Sequence, residues 1–140
     1  PGTLVSTSTP ATVVLDAAHN VDGARACRET LREEFTLAGT IIVVAGMLDG
    51  RDPAEMLAAL GAEDAGFLIG CTPDSPRAVP APELAAVATS LGIVAESIPS
   101  VEDAVERARS LASPDDLILV TGSLYVVGPA RAVLAREVDA

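Results

Sequence analysis

Five short strand-like runs, four of them built on consecutive apolar residues rich in Val, Ile and Leu, punctuate this chain, and each is followed by a longer stretch with helical spacing. The runs are Val13-Val14-Leu15, Thr40 to Ala45 (TIIVVA), Phe67-Leu68-Ile69, Val94 to Ile98 and Asp116 to Val120 (DLILV). Unbroken apolar runs of this length, bounded by turn residues, mark strands covered on both faces; a strand with one wet face would alternate apolar and polar residues. Apolar and small residues then recur at helical spacing over Val21 to Phe35, from Asp52 onward, over Pro82 to Leu91, from Ser100 onward and within Leu124 to Val138. Two of these helices announce their starts. Asp52-Pro53-Ala54-Glu55 supplies a capping carboxylate, a proline in the first turn and a Glu three residues on, and Ser100-Val101-Glu102-Asp103 supplies a capping hydroxyl. A Ser/Thr/Pro-rich lead precedes the first run. Short buried strands alternating with helices pack as a parallel sheet with helices on both faces. The expectation is a single α/β domain over residues 1–140, a doubly wound, mostly parallel sheet in a three-layer αβα arrangement.

Composition removes several classes of function. At 140 residues and 49% hydrophobic the chain can bury one core, and no internal boundary is expected. A formal net charge of −11 with no basic stripe repels polyanions, so nucleic acid is excluded as a partner. No apolar run nears the roughly 20 residues that span a bilayer. Nor does a basic start lead into an apolar stretch, so a cytoplasmic protein without a membrane partner is expected. Cys27 and Cys71 are far apart, no CxxC occurs and His19 is the only histidine, so no disulfide framework and no metal site are assigned. Both cysteines are expected to be buried and inert. All nine basic residues are Arg, with no Lys. The chain starts at Pro1 rather than Met, which fits a piece of a longer protein.

In open α/β sheets ligands bind beyond the carboxyl ends of the strands, so the loops leaving the strands carry the candidate chemistry. They are Asp16 to Asn20, Gly46 to Asp52, Cys71 to Arg77 and Thr121 to Ser123. Asp16 ends an apolar strand and His19 lies in the turn before a helix that Asn20 would cap. The carboxylate and imidazole either meet a ribose, phosphate or metal-bound nucleotide at the helix N-terminus, or serve only the turn and cap. Arg77, on a Pro-braced loop, is suited to bidentate capture of a carboxylate, or is a surface Arg. Arg51, between Asp49 and Asp52, reaches a phosphate or pairs with those neighbours. Ser123, after Gly122, caps the last helix, hydrogen-bonds a ligand, or does both. No GxGxxG follows the first strand, and a chain without Lys has no Walker A loop, so this Rossmann-like sheet lacks the usual grip on a pyrophosphate.

Four stretches, in this order, carry a resemblance that covers essentially the whole chain. VVLDAAHNVDGARA is similar to a D-G-A-H-N-P-x-G-A pattern, VVAGMLDGRDPAEML to G-M-L-x-D-K-D, TPDSPRAVPAPELA to S-P-R-A-x-P-x-x-E-L, and LILVTGSLYVVGPAR to V-x-G-S-L-Y-x-V-G-x-A-R. These patterns are those of the C-terminal domain of folylpolyglutamate synthase and dihydrofolate synthase enzymes, within the Mur ligase superfamily, which the chain resembles. The resemblance implies an ATP-dependent ligase that phosphorylates a folate or pteroate carboxylate and lets the amine of L-glutamate attack the acyl phosphate. It implies ATP and Mg²⁺ held mainly by a separate, preceding N-terminal P-loop domain that also carries much of the folate site. The domain resembled here closes over the nucleotide, excluding water from a hydrolysable intermediate, and contributes to the amino-acid side; alone, it is expected to be inactive. Carried over by position, Asp16 and His19 are the expected catalytic residues and, with Asn20, approach the nucleotide, while Arg77 and Ser123 serve the glutamate.

Three positions depart from the family pattern. Thr3 in Pro1-Gly2-Thr3-Leu4-Val5 stands where a P-G-R-L-E segment has an Arg that contacts nucleotide, Arg51 stands for a Lys, and Pro129 after Gly128 is expected to kink or delay the last helix. Two other readings stay open: a non-catalytic ligand-binding or interaction module derived from this domain, and a Mur-type ligase with a different acceptor.

Overall fold

The apolar runs form the sheet. The computed structural model describes residues 3–5, 11–16, 20–34, 39–62, 65–122 and 124–139. In chain order its elements are β1 (Thr3–Val5), β2 (Thr12–Asp16), α1 (Val21–Glu34), β3 (Ile41–Ala45), α2 (Pro53–Leu60), β4 (Phe67–Gly70), α3 (Ala81–Ser90), β5 (Ala95–Ser97), α4 (Val101–Leu111), β6 (Leu117–Thr121) and α5 (Leu124–Asp139). The strands lie in the order β1-β2-β6-β3-β4-β5, and all neighbours are parallel except β1, which runs antiparallel to β2.

Alternation within each buried strand sends successive side chains into two cores. Val13, Leu15, Ile42, Val44, Ile69, Ile118 and Val120 pack with residues of α4 and α5 such as Ala104, Val105, Val126 and Leu134. Val14, Val43, Ala45, Leu68, Leu117 and Leu119 pack with residues of α1, α2 and α3 such as Ala24, Met56, Leu57 and Leu84. The domain is therefore the expected three-layer αβα sandwich.

The caps act as the sequence suggests. The Gly23 N–H donates to Asn20 Oδ1 (2.7 Å), Ala54 N–H to Asp52 Oδ1 (3.0 Å) and Asp103 N–H to Ser100 Oγ (3.2 Å); each such cap contributes about 1 kcal/mol. Helix α3 starts one residue early, at Ala81, and has no cap from its own chain start. Instead the Thr72 hydroxyl, on the loop leaving β4, accepts from the Ala81 N–H at 2.8 Å.

Two expectations need correction. The Ser/Thr/Pro-rich lead contains β1, whose pairing Thr3↔Leu15 through Val5↔Val13 covers the edge of β2 that would otherwise be open. Pro129 neither delays nor ends the last helix, because α5 starts at Leu124 and runs through it. The N–H missing at Pro129 would have served the Tyr125 carbonyl, and Tyr125 lies on the solvent side of the helix (51% exposed), where water can substitute.

At the amino end of the sheet, polar groups are used to hold the turns. Asp116 accepts from Thr40 N–H through Oδ1 (2.9 Å) and from Ser113 N–H through Oδ2 (2.7 Å), joining the start of β3 to the turn before β6. Among the described residues, no helix is long and apolar enough to cross a membrane.

Candidate functional site

Strand β6 lies between β2 and β3, yet the chain leaves it for α5 on one face while β2 and β3 feed α1 and α2 on the other. The loops therefore diverge on both sides of β6, opening a crevice at the carboxyl edge, where ligands bind in such sheets. Its floor is backbone. The Gly46 N–H donates to the Thr121 carbonyl at 3.2 Å, and Gly122, at φ +136°, lies so close that a Cβ would overlap the Gly46 carbonyl oxygen. A Cβ on Gly46 would in turn meet Val126 Cγ2 at 2.7 Å and Pro73 Cγ at 3.0 Å. Glycine at both positions thus lets the loops leaving β3, β4 and β6 converge.

Above this floor the β3 and β4 loops are joined by a short ladder. The Asp49 N–H donates to the Arg77 carbonyl (2.7 Å) and the Val79 N–H to the Met47 carbonyl (2.8 Å), around an antiparallel bridge between Leu48 and Ala78. Across it the Arg77 guanidinium donates from Nε to Asp49 Oδ1 and from Nη2 to the Asp49 carbonyl, both at 2.9 Å. Ser75 Oγ accepts from the Arg77 N–H at 3.2 Å, bracing the turn. These side chains are well exposed, 62% for Arg77 and 67% for Asp49, so the ion pair adds only about 0–1 kcal/mol to stability. Its effect is geometric: one edge of the guanidinium is fixed against Asp49, and among the described residues Nη1 takes no partner. Arg77 is therefore held in place on the surface, and its partner is Asp49, which the sequence offered as one possible neighbour for Arg51.

Two openings adjoin this ladder. A cleft of about 200 Å³ is lined by Met47 to Arg51, Met56, Arg77 and Gly122. A wider opening of about 490 Å³ follows the N-terminus of α1 and is lined by Asn20, Val21, Asp22, Gly50, Arg51, Asp52 and Glu55. Gly50 and Arg51 belong to both, so the two openings are continuous along one loop.

Asp16 ends β2 in register with Thr121 of β6, and by strand alternation both face the α1 side. Asp16 is 4% exposed. The Cys27 thiol on α1 hydrogen-bonds it, and burial, followed by that bond and the carboxylate charge, pushes this thiol far above its ordinary range. Cys71 is pushed up to about 12, by burial first and then by the charge of Glu102. Both cysteines are buried and kept in the thiol form, as expected. The Thr121 hydroxyl is 1% exposed and has no hydrogen-bond partner among the described residues. Sequence reasoning did not select it; the one polar residue ending LILVT was the available signal. Of the other expected site residues, Asn20 caps α1 at the wider opening, whereas His19 and Ser123 lie outside the described residues. Thr3, in β1, sits opposite Leu15, next to Asp16 at the same sheet edge, so the departure from Arg falls at the ligand edge.

Comparison with known proteins matches residues 3–124 to the Mur ligase glutamate ligase domain. The chain belongs to this family. Its relatives include a probable bifunctional folylpolyglutamate synthase/dihydropteroate synthase of Haloferax volcanii, 38% identical over 99% of this chain and 16% of that protein. Among solved structures, E. coli FolC in complex with DHPP and ADP superposes with a TM-score of 0.82 at 28% identity, over 97% of this chain and 31% of that one. A bifunctional folylpolyglutamate synthase/dihydrofolate synthase with Mn, AMPPNP and L-glutamate bound gives a TM-score of 0.79 at 29% identity, over 96% of this chain and 30% of that one. This glutamate ligase domain thus spans less than a third of each of these proteins, and the two solved structures share its fold.

Proposed function

We propose that this glutamate ligase domain is the amino-acid side of an ATP-dependent ligase that adds L-glutamate to a folate or pteroate carboxylate through an acyl phosphate. The observation that carries the reading is Arg77, held by Asp49 at the mouth of the switch-point cleft with its terminal guanidinium edge open, the geometry that grips a carboxylate in bidentate fashion. The related structure with L-glutamate, Mn and AMPPNP bound supports the same substrates. Ser123, the residue after the glycine floor, completes the proposed glutamate side.

The wider opening is the nucleotide side. Asp22, Asp52 and Glu55 line it with Arg51 and Asn20, so it disfavours phosphates and suits sugar hydroxyls or a base; Asp16 and His19 are the further residues assigned to the nucleotide. Among the described residues no group of three or more His, Cys, Asp or Glu forms a metal site, and the chain has no Lys. In this reading Mg²⁺ and the phosphates are held by a preceding P-loop domain, which is this domain's proposed partner. ATP supplies the phosphoryl group that activates the acceptor carboxylate; the residues here hold the amino acid and cover the site.

The test is ATP- and glutamate-dependent extension of pteroate and folate by the full-length protein with Mg²⁺. Product from either acceptor is the expected result; none from both removes the assignment. His19→Ala in that protein is expected to raise the ATP requirement or slow turnover without unfolding it, and unchanged kinetics would reduce His19 to a turn former.

A further inference from the structure

Asp49 has a second carboxylate oxygen that the ligase reading leaves without a task. Arg77 engages Oδ1 alone, and among the described residues Oδ2 accepts no hydrogen bond. The side-chain pair is not needed to join the two loops, because the backbone bonds Asp49 N–H to Arg77 carbonyl and Val79 N–H to Met47 carbonyl already do so. An exposed ion pair adds little stability of its own. What remains is a guanidinium edge and a carboxylate oxygen, side by side, facing one small cleft. Gly50 keeps that edge clear: at φ +92° it turns the loop away, and even a Cβ there would come within 3.3 Å of Arg77 Nη2.

We propose that Asp49 and Arg77 form a paired receptor for a free α-amino acid, with the guanidinium edge taking a carboxylate and Asp49 Oδ2 taking the α-amino group. This rests on the reading of Arg77 as a glutamate-side residue and names a second binding residue beside it. A free amino acid presents an anion and an amine on neighbouring atoms, and the pair presents the complementary charges in the same order. Asp49 also rejects ligands. A dicarboxylate without the amine brings a like charge towards Oδ2, so the receptor discriminates by repulsion as well as by attraction. For amide formation the contact has a further use. A carboxylate accepting one N–H holds the amine nitrogen without engaging its lone pair, which stays free for attack on the activated acceptor.

The experiment is steady-state kinetics on the full-length ligase with L-glutamate as substrate and glutarate, the same dicarboxylate without the amine, as inhibitor. Wild-type enzyme is expected to bind glutarate at least tenfold more weakly than glutamate. Asp49→Asn keeps an oxygen for Arg77 but presents N–H donors to the amine. It is expected to raise the glutamate KM about tenfold or more, to leave the ATP KM unchanged, and to hold or improve inhibition by glutarate. A wild-type enzyme that binds both ligands equally overturns the inference without any variant. So does an Asp49→Asn enzyme with an unchanged glutamate KM, or one that loses glutarate and glutamate in parallel, since Asp49 would then only position Arg77. An enzyme that ligates no glutamate at all removes the ligase reading and this inference together, whereas active ligation with any of the preceding outcomes removes this inference alone.

Discussion

Two aspartates at opposite edges of the sheet show how the same side chain serves structure or recognition. Asp116, at the amino edge, has both carboxylate oxygens occupied by backbone N–H groups of its own domain. Asp49, at the carboxyl edge and lining a cleft, has one oxygen on Arg77 and one that accepts no hydrogen bond among the described residues. Both are acidic residues in loops with side chains that solvent reaches, Asp116 half-buried and Asp49 exposed, so residue type does not separate them. The difference lies in how much hydrogen-bonding capacity the fold consumes, and it follows topology: the amino-edge turns need acceptors to close, while the carboxyl-edge loops are joined by backbone bonds and leave their side chains available.

The contrast can be broken at several points. The largest effect is expected from Gly122→Ala, where a Cβ collides with the Gly46 carbonyl and the backbone sits at φ +136°. A loss of about 3 kcal/mol or more should appear as a lower urea midpoint; an unchanged midpoint would mean that the carboxyl-edge floor is not close-packed. Next, Arg77→Ala in the full-length protein should raise the glutamate KM by roughly 30-fold or more. Its unfolding free energy should stay within about 0.5 kcal/mol of wild type. An effect confined to the folate substrate would contradict the assigned side.

Asp116→Ala should behave in the opposite way, costing about 1–2 kcal/mol of stability through two lost acceptors while leaving the glutamate KM alone. A shift in that KM would erase the distinction between the two edges. The smallest effect concerns the buried thiols. The unfolded chain loses the Cys71 proton near its ordinary value of 9.0, whereas the folded chain holds it to about 12. Above pH 9 the unfolded state therefore binds fewer protons, and stability must fall with rising pH across that window. Near pH 9.5 the loss is about 1 kcal/mol for such a thiol, measurable as a shallower decline in Cys71→Ala, provided each variant is referred to its own stability at pH 7.

The parallel strands and all five helices were legible because their signals are local: unbroken apolar runs, helical spacing, and caps at Asn20, Asp52 and Ser100. Strand β1 was not, since three residues in a polar lead become a strand only when β2 offers them an edge. The same limit hid the Asp49–Arg77 pair, whose members are 28 residues apart, and the Thr72 hydroxyl capping α3 from nine residues away. Arg77 could be selected as a residue type on a braced loop, but its orientation depends on a partner that only the β3/β4 neighbourhood supplies. Pro129 was expected to kink or delay the last helix; the delay does not occur, because α5 starts at Leu124 and the carbonyl that the proline leaves unpaired belongs to a residue on the solvent side.

The contact between Gly46 and Gly122 also sets what substitution can change. A surface made of two backbones offers no side chain to vary, so neither natural drift nor redesign can retune the cleft from below. If the cleft holds the incoming amino acid as proposed, altered preference has to come from its walls, at Met47, Leu48, Asp49, Arg51, Met56 and Arg77. A search for variants that accept another amino acid can start from those positions and Ser123, with the glycines left fixed.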